Sequence, residues 1–248
     1  MNSTIIKNIP PNEHVIMQNS ITDRIWPEFM LHDPVANNNW GKLFEYFDDF
    51  QFTLQMDGKP AGGSNGMAVF WDASPEDLPE GGWDWVFEKG IEQHEKGQQP
   101  NTAVGLQVNV APEFRGQGLS TQILKEMKHN ARNKGLKRLI IPVRPVWKSR
   151  YPLIPIDDYI RWETEEELPY DPWLRTHVRA GGRIIAPCYR SMFINGTIKE
   201  WETWTGMKFY QNGLYVVPGA LTLVEMDLDS NKGFYVEPNV WVIHETDR

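Results

Sequence analysis

The 248-residue chain has one cysteine, Cys188. No intramolecular disulfide can form, and a reducing compartment is expected. No apolar run approaches membrane-spanning length, and Met1 to His14 carry no apolar signal core. A soluble cytoplasmic protein without a membrane partner is therefore the expectation. Cations are in deficit: 25 Lys and Arg face 33 Asp and Glu, a net charge of −8. That balance argues against nucleic acid as a partner. Internal repeats and low-complexity segments are lacking, and no metal is expected. The hydrophobic share, 40%, is enough for a large core.

Periodicity supplies the elements. Trp40, Leu43, Phe44 and Phe47 recur at helical spacing and predict a helix over about 40–50. Phe52, Leu54 and Met56 alternate into an Asp57-Gly58 turn, and a strand returns over Met67–Trp71. Gly62, Gly63 and Gly66 read as a flexible or bulged stretch. After a loop at 72–82, Trp83, Val86, Phe87, Ile91 and His94 mark a second helix. A strand over Thr102–Val110 precedes a helix striped by Leu119, Ile123, Leu124, Met127 and Ala131. Leu139–Ile141 begin the next strand, which Pro142 is expected to truncate or bulge. Residues 145–172, with five prolines and five Trp or Tyr, read as a long ordered loop packed by aromatics. Its acids at 157–167 read as a solvated surface rather than a lid for a cationic amine. Asp171-Pro172 starts a helix closed by Gly181-Gly182, and Arg183–Ala186 reads as a strand. A short helix is expected over 197–206. Candidate strands then follow at Leu214–Val217, Leu221–Asp227, Gly233–Val236 and Val240–His244.

Val108 to Ser120 is the most informative stretch: Val-Asn-Val-Ala-Pro-Glu-Phe-Arg-Gly-Gln-Gly-Leu-Ser. A strand runs through a proline and an Arg-Gly-x-Gly turn into an amphipathic helix. Such a helix start presents unpartnered N–H groups and a positive dipole end, and the glycines let an anion approach. A Walker A loop fails because no Lys precedes Ser120 or Thr121; a Rossmann fingerprint fails because Thr121 stands where the third glycine belongs. Residues 115–150 hold ten Lys or Arg and one acid, Glu126. A basic island suits a multiply phosphorylated cofactor.

The pattern at Arg115, Gly118 and the small Ser120, with Val-x-Pro before it, resembles motif A of the GCN5-related N-acetyltransferase (GNAT) family over about residues 102–145. Ser120 departs from the usual Gly or Ala. The resemblance implies an α/β (α+β) fold with a mixed, mainly antiparallel sheet, flanking helices and here a β-rich C-terminal extension. Residues 1–206 would be the acyl-CoA-binding domain and 207–248 the extension packed on it. It also implies that acetyl-CoA or another acyl-CoA sits with its pyrophosphate over Arg115, Gly116, Gln117, Gly118, Leu119 and Ser120. Its pantetheine would pair with Val108, Asn109 and Val110, in a gap where two parallel strands splay.

Acyl transfer to an amine needs a proton acceptor, a stabilised thioester oxygen and a proton for the thiolate. The family often carries a Tyr four residues before the glycine that ends a helix; here that position is His177, with Tyr189 a second candidate acid. A buried histidine hydrogen-bonded beside Trp173 is the competing reading. No carboxylate lies on the motif strand, so the base is unassigned; Glu88, Glu92 and His94 read as surface, and Cys188 as a small core residue. The expectation is an N-acetyltransferase acting on a small-molecule or peptide amine, with a homodimer left open. A non-catalytic acyl-CoA-binding module and a structural interaction protein are the alternatives.

Overall fold

A computed structural model describes residues 3–7, 12–13 and 20–246. The strands are β1 (Ser3–Ile6), β2 (Phe52–Met56), β3 (Lys59–Val69), β4 (Thr102–Val110), β5 (Arg138–Val143), β6 (Arg183–Gly196), β7 (Gly213–Tyr215), β8 (Val224–Asp227) and β9 (Lys232–Glu245). Helices α1 (Pro34–Tyr46), α2 (Gly82–Glu95), α3 (Leu119–Asn133), α4 (Ile156–Tyr159), α5 (Pro172–Arg179) and α6 (Ile198–Thr205) flank them. The sheet order is β1-β2-β3-β4-β5-β9-β8-β7, with β6 on the other edge of β9. Among these pairs only β4/β5 is parallel.

The sheet separates two cores. One lies under α1, α2 and α6 and holds Leu43, Phe87, Val104, Leu106, Trp201, Tyr235 and Trp241. The other lies under α3, α4 and α5 and holds Leu54, Ile123, Met127, Ile141, Val143, Tyr159 and Val242. β5 feeds both, Ile140 to the first and Leu139 and Ile141 to the second, so it reads as an unbroken apolar run.

The first helix starts earlier than its apolar spacing implied. The Asp33 carboxylate accepts from Ala36 N–H at 2.8 Å and Pro34 fills the first turn, so α1 spans 34–46 and residues 48–50 form a separate 3-10 turn. Of the two readings of Gly62, Gly63 and Gly66 the bulged one holds: they are buried inside β3, where Ala61 is an extra residue against β2 and the register with β4 slips at Asn65/Gly66. A Cβ on Gly62 would lie 2.4 Å from the Asn109 carbonyl oxygen, and one on Gly66 2.7 Å from that of Val104. These glycines permit close strand approach rather than motion. Pro142 does not truncate β5, which pairs with β9 in regular register through Pro142↔Trp241. The candidate strands 233–236 and 240–244 form one strand through Pro238, and β6 runs to Gly196 with two irregularities. Beyond residue 206, β9 is inserted between β5 and β6.

The 145–171 segment is ordered by an aromatic cluster of Trp147, Tyr151, Tyr159, Trp162 and Tyr170. The buried Asp171 ties it down: its carboxylate accepts from Trp147 N–H, the Tyr159 hydroxyl and the first N–H groups of α5. The acids here face outward, with Asp158 near Arg161 and Glu166 paired to Arg179.

Candidate active site

β4 and β5 pair only over Thr102–Val104 with Arg138–Ile140. Both strands continue, β4 to Val110 and β5 to Val143, without pairing to each other. They leave a gap that opens toward the glycine loop. β4 carries a bulge at its middle: Gly66 pairs Gly105 and Asn65 pairs Gln107, so Leu106 is the extra residue. The bulge slips the alternation by one. Leu106 faces the α1/α2 core, while Val108 and Val110 pack toward α3.

Ala111 N–H donates to Ala61 O at 2.9 Å. By the two-residue repeat of a strand, the backbone groups of Asn109 face β3 and those of Val108 and Val110 face the gap. Arg115 Nε reaches the Val110 carbonyl at 3.4 Å from that open side. Val108 and Val110 thus offer an unzipped strand edge that can pair with an extended amide chain. Asn109 plays another part: buried, its side chain accepts from Trp26 Nε1 at 3.3 Å and donates to Thr22 Oγ at 3.1 Å.

The loop that follows fits a diphosphate. Gly116 and Gly118 take φ of +76° and +78°, and open space surrounds the position of a Cβ at each. Gly118 caps α3, and among the described residues no side chain bonds the N–H groups of its first turn, an arrangement suited to an anion. Arg115, Gly116, Gln117 and Gly118 are exposed, Ser120 is half-buried, and Leu119 is core, anchoring the helix start. Much of the basic island serves structure instead. Lys134 pairs with Asp49, and Lys128 donates to Ala180 O. Lys148 is buried, its ammonium on the Tyr151 and Leu221 carbonyls, and burial lowers it to about 8.

A buried polar network occupies the α1/α2 face of the gap. Trp83 Nε1 donates to the Leu106 carbonyl at 2.8 Å, and Trp83 N–H to Ser191 Oγ at 2.9 Å. Ser191 donates to Asn239 Oδ1 (2.7 Å), and Asn239 Nδ2 to Glu237 Oε1 (3.2 Å). Arg144, just past the end of β5, holds both Glu237 oxygens through Nε at 2.9 and 3.0 Å. Tyr235 OH also donates to Glu237, at 2.9 Å. The Arg144 guanidinium lies 5.6 Å from the centre of the Trp26 ring.

Asp33 and Asp84 join this region from the starts of α1 and α2. Asp33 is fully buried, and among the described residues its Oδ2 and Asp84 Oδ1 receive no donor. Burial raises both above the usual carboxylate range; mutual repulsion raises Asp84 further, and Glu237 adds to Asp33. Two neighbouring carboxyl groups in this setting disfavour ionising together. Sequence reading missed both residues. Asp33-Pro34 carries the same helix-start signal as Asp171-Pro172, but nothing local shows that α1 and α2 begin side by side.

His177 is not brought to the loop. It is fully buried, and Nδ1 sits 2.9 Å from His244 Nε2. His244 pairs with Leu139, and Leu139 with Ala103, at the closed end of the β4/β5 pair. Burial and the neighbouring His244 hold His177 well below its ordinary value, and burial with Lys128 lowers His244 to about 4. Tyr189 lies nearer the open end, next to Cys188↔Asn239 in β6, exposed, with its hydroxyl donating to Asp157 at 2.8 Å. Burial pushes the Cys188 thiol up to about 12, which leaves no thiolate for attack. Glu88, Glu92 and His94 are exposed.

The acetyltransferase (GNAT) family model matches residues 19–146. A curated relative, the arginine N-acetyltransferase avaD of Aspergillus versicolor, is 32% identical over 89% of this chain and 85% of its own. The chain belongs to the GNAT family. It is an N-acyltransferase, and the binding-module and interaction-protein alternatives are not favoured. Solved structures agree on the fold. The loading GNATL domain of CurA from Lyngbya majuscula has a TM-score of 0.65 at 18% identity, covering 100% of this chain and 99% of that one. A GphF GNAT-like decarboxylase in complex with isobutyryl-CoA has a TM-score of 0.55 at 17% identity, covering 99% and 100%. Among the described residues no helix is long and apolar enough to cross a membrane. In this chain α2 connects β3 to β4, and the β7/β8 hairpin precedes β9.

Proposed function

We propose that this GNAT enzyme acetylates a nitrogen of arginine or of a small molecule bearing an arginine side chain, with acetyl-CoA as donor, in the cytoplasm. The observation that carries the acceptor is the match to the arginine N-acetyltransferase across most of both chains. The site's charge supports it: two carboxyl groups without a paired cation, Asp33 and Asp84, stand together at the starts of α1 and α2. A guanidinium or ammonium group would offset the repulsion between them.

When bound, acetyl-CoA supplies an activated acyl carbon on a thiolate leaving group. The chain does the rest. The α3 N-terminus and Gly116–Gly118 hold the diphosphate, and Val108 and Val110 hold the pantetheine amides along β4. The C–N bond forms as the C–S bond breaks; the nitrogen yields one proton and the sulfur gains one. The partly exposed Tyr151 and Tyr170 hydroxyls, 2.9 Å apart on the α3/α5 side, are proton donors within the aromatic wall. His177, fully buried, is not given that role here.

The test is incubation of the purified protein with acetyl-CoA and L-arginine, followed by thiol release and mass spectrometry. The expected result is stoichiometric thiol and an arginine heavier by one acetyl group. Thiol release with other amines and none with arginine overturns the acceptor. Light scattering decides the homodimer expectation.

A further inference from the structure

The polar network on the α1/α2 face closes into a circuit. From the Leu106 carbonyl on β4 it runs through Trp83, Ser191, Asn239 and Glu237 to Arg144 at the end of β5. From Arg144 it returns through the Trp26 ring to Asn109, on β4 again. The circuit spans the stretch where β4 and β5 have lost their own pairing. A fold that only needed stability could have zipped these strands or filled the face with apolar side chains.

The backbone is shaped to admit it. Gly82 has φ of +46°, and a Cβ there would lie 2.3 Å from Ser191 Oγ. Only glycine lets α2 start so close to β6 that Trp83 N–H reaches Ser191. Arg144 and Lys148 also pin the 217–221 turn, through Gly219 O at 2.6 Å and Leu221 O at 2.7 Å. Leu221 N–H in turn donates to Tyr235 OH at 2.8 Å.

We infer that Glu237 is a positioning residue for acyl transfer: held by Arg144, it fixes the width of the β4–β5 gap and, through Asn239, Ser191 and Trp83, the aim of the Leu106 bulge. The inference rests on the donor lying in this gap and does not depend on arginine as acceptor. The diphosphate loop lies outside the circuit, so anchoring of the donor and alignment of its acyl end are separable.

The experiment compares Glu237→Gln, Trp83→Phe and the double variant. Glu237→Gln keeps the shape and weakens the grip on Arg144; Trp83→Phe keeps the ring and removes the donor to Leu106. Each variant is expected to lower kcat by at least about tenfold with the KM for acetyl-CoA within about threefold. Residues 83 and 237 are not hydrogen-bonded to each other, yet the double variant should lose little more than either single one, a non-additivity that shows a shared effect. Hydrogen exchange with CoA needs no acceptor. Wild type should be protected at both 105–110 and 115–120, and the variants at 115–120 only.

Multiplicative losses in kcat, or unchanged protection at 105–110 in folded variants, would overturn the inference. Absence of arginine acetylation by wild type, with protection intact, removes the acceptor reading alone. Absence of CoA protection at both segments removes the donor site itself and this inference with it.

Discussion

Replacing Arg144 with Met isolates what the circuit is worth to stability. Glu237 has no solvent exposure and the Arg144 side chain is 17% exposed, so the variant leaves a carboxylate inside the protein without its cation. Removing one partner of a buried ion pair costs about 3–5 kcal/mol. Glu237 keeps Tyr235 OH at 2.9 Å and Asn239 Nδ2 at 3.2 Å, which places the loss at the lower end, about 3 kcal/mol. For a chain this long, each kcal/mol moves the melting point by about 2–4 °C, so Tm should fall by about 6–12 °C. The stranded carboxyl group answers by binding a proton. Its affinity in the folded variant then exceeds that in the unfolded chain, so the folded form binds more protons and loses stability as pH rises. The Tm deficit should therefore be smaller at about pH 5 than at about pH 8. Adding Glu237→Gln removes the charge and should recover about 1–2 kcal/mol. Differential scanning fluorimetry across pH reads all three effects. A variant melting within about 2 °C of wild type, or one gaining nothing from the second substitution, would refute the reasoning.

Other perturbations address the loop, the acid pair and the histidine pair. Gly118→Asp forces a side chain into φ of +78° and sets a negative charge at the α3 N-terminus; CoA affinity by calorimetry should drop at least about tenfold while the fold survives. Asp84→Asn preserves acceptance from Phe193 N–H but removes the repulsion with Asp33. Because burial raises these carboxyl groups, wild type loses stability as pH rises, so the variant should melt higher at about pH 8, with the KM for arginine raised and that for acetyl-CoA unmoved. His244 is lowered from 6.5 to about 4, so the folded chain binds fewer protons than the unfolded one in that window. The His244 contribution should be complete above about pH 6.5 and fall by about 3 kcal/mol toward pH 4, with the lowered His177 steepening the slope, which His244→Asn makes shallower in urea titrations. Cys188, with its thiol raised by burial, should react with a soluble disulfide reagent only after denaturant is added.

The elements on which the donor reading rests were legible because they are local. Strand, proline, glycine turn and helix follow one another within residues 102–133, and each carries its own signal: alternation, missing N–H, positive φ and helical stripe. The acid pair and the Glu237 network were not, because they are assembled from distant pieces. Asp33 caps a helix like any Asp before Pro, and Glu237 sits near a Pro-Asn pair that read as a turn between two strands. Only the insertion of β9 beside β5 turns that pair into the middle of a buried strand. The glycines of β3 were legible as a bulge but not as a close approach, because the carbonyls of Asn109 and Val104 that require them lie on another strand. His177 was placed on the right helix and face, but its partner His244, which decides its environment, lies 67 positions away.

A crystal structure with CoA tests the donor site most directly. Pantetheine should run between β4 and β5 with its amides on the backbone of Val108 and Val110, and the diphosphate should rest on the N–H groups following Gly116. CoA bound elsewhere, or β4 and β5 zipped together to Val143, would contradict the account.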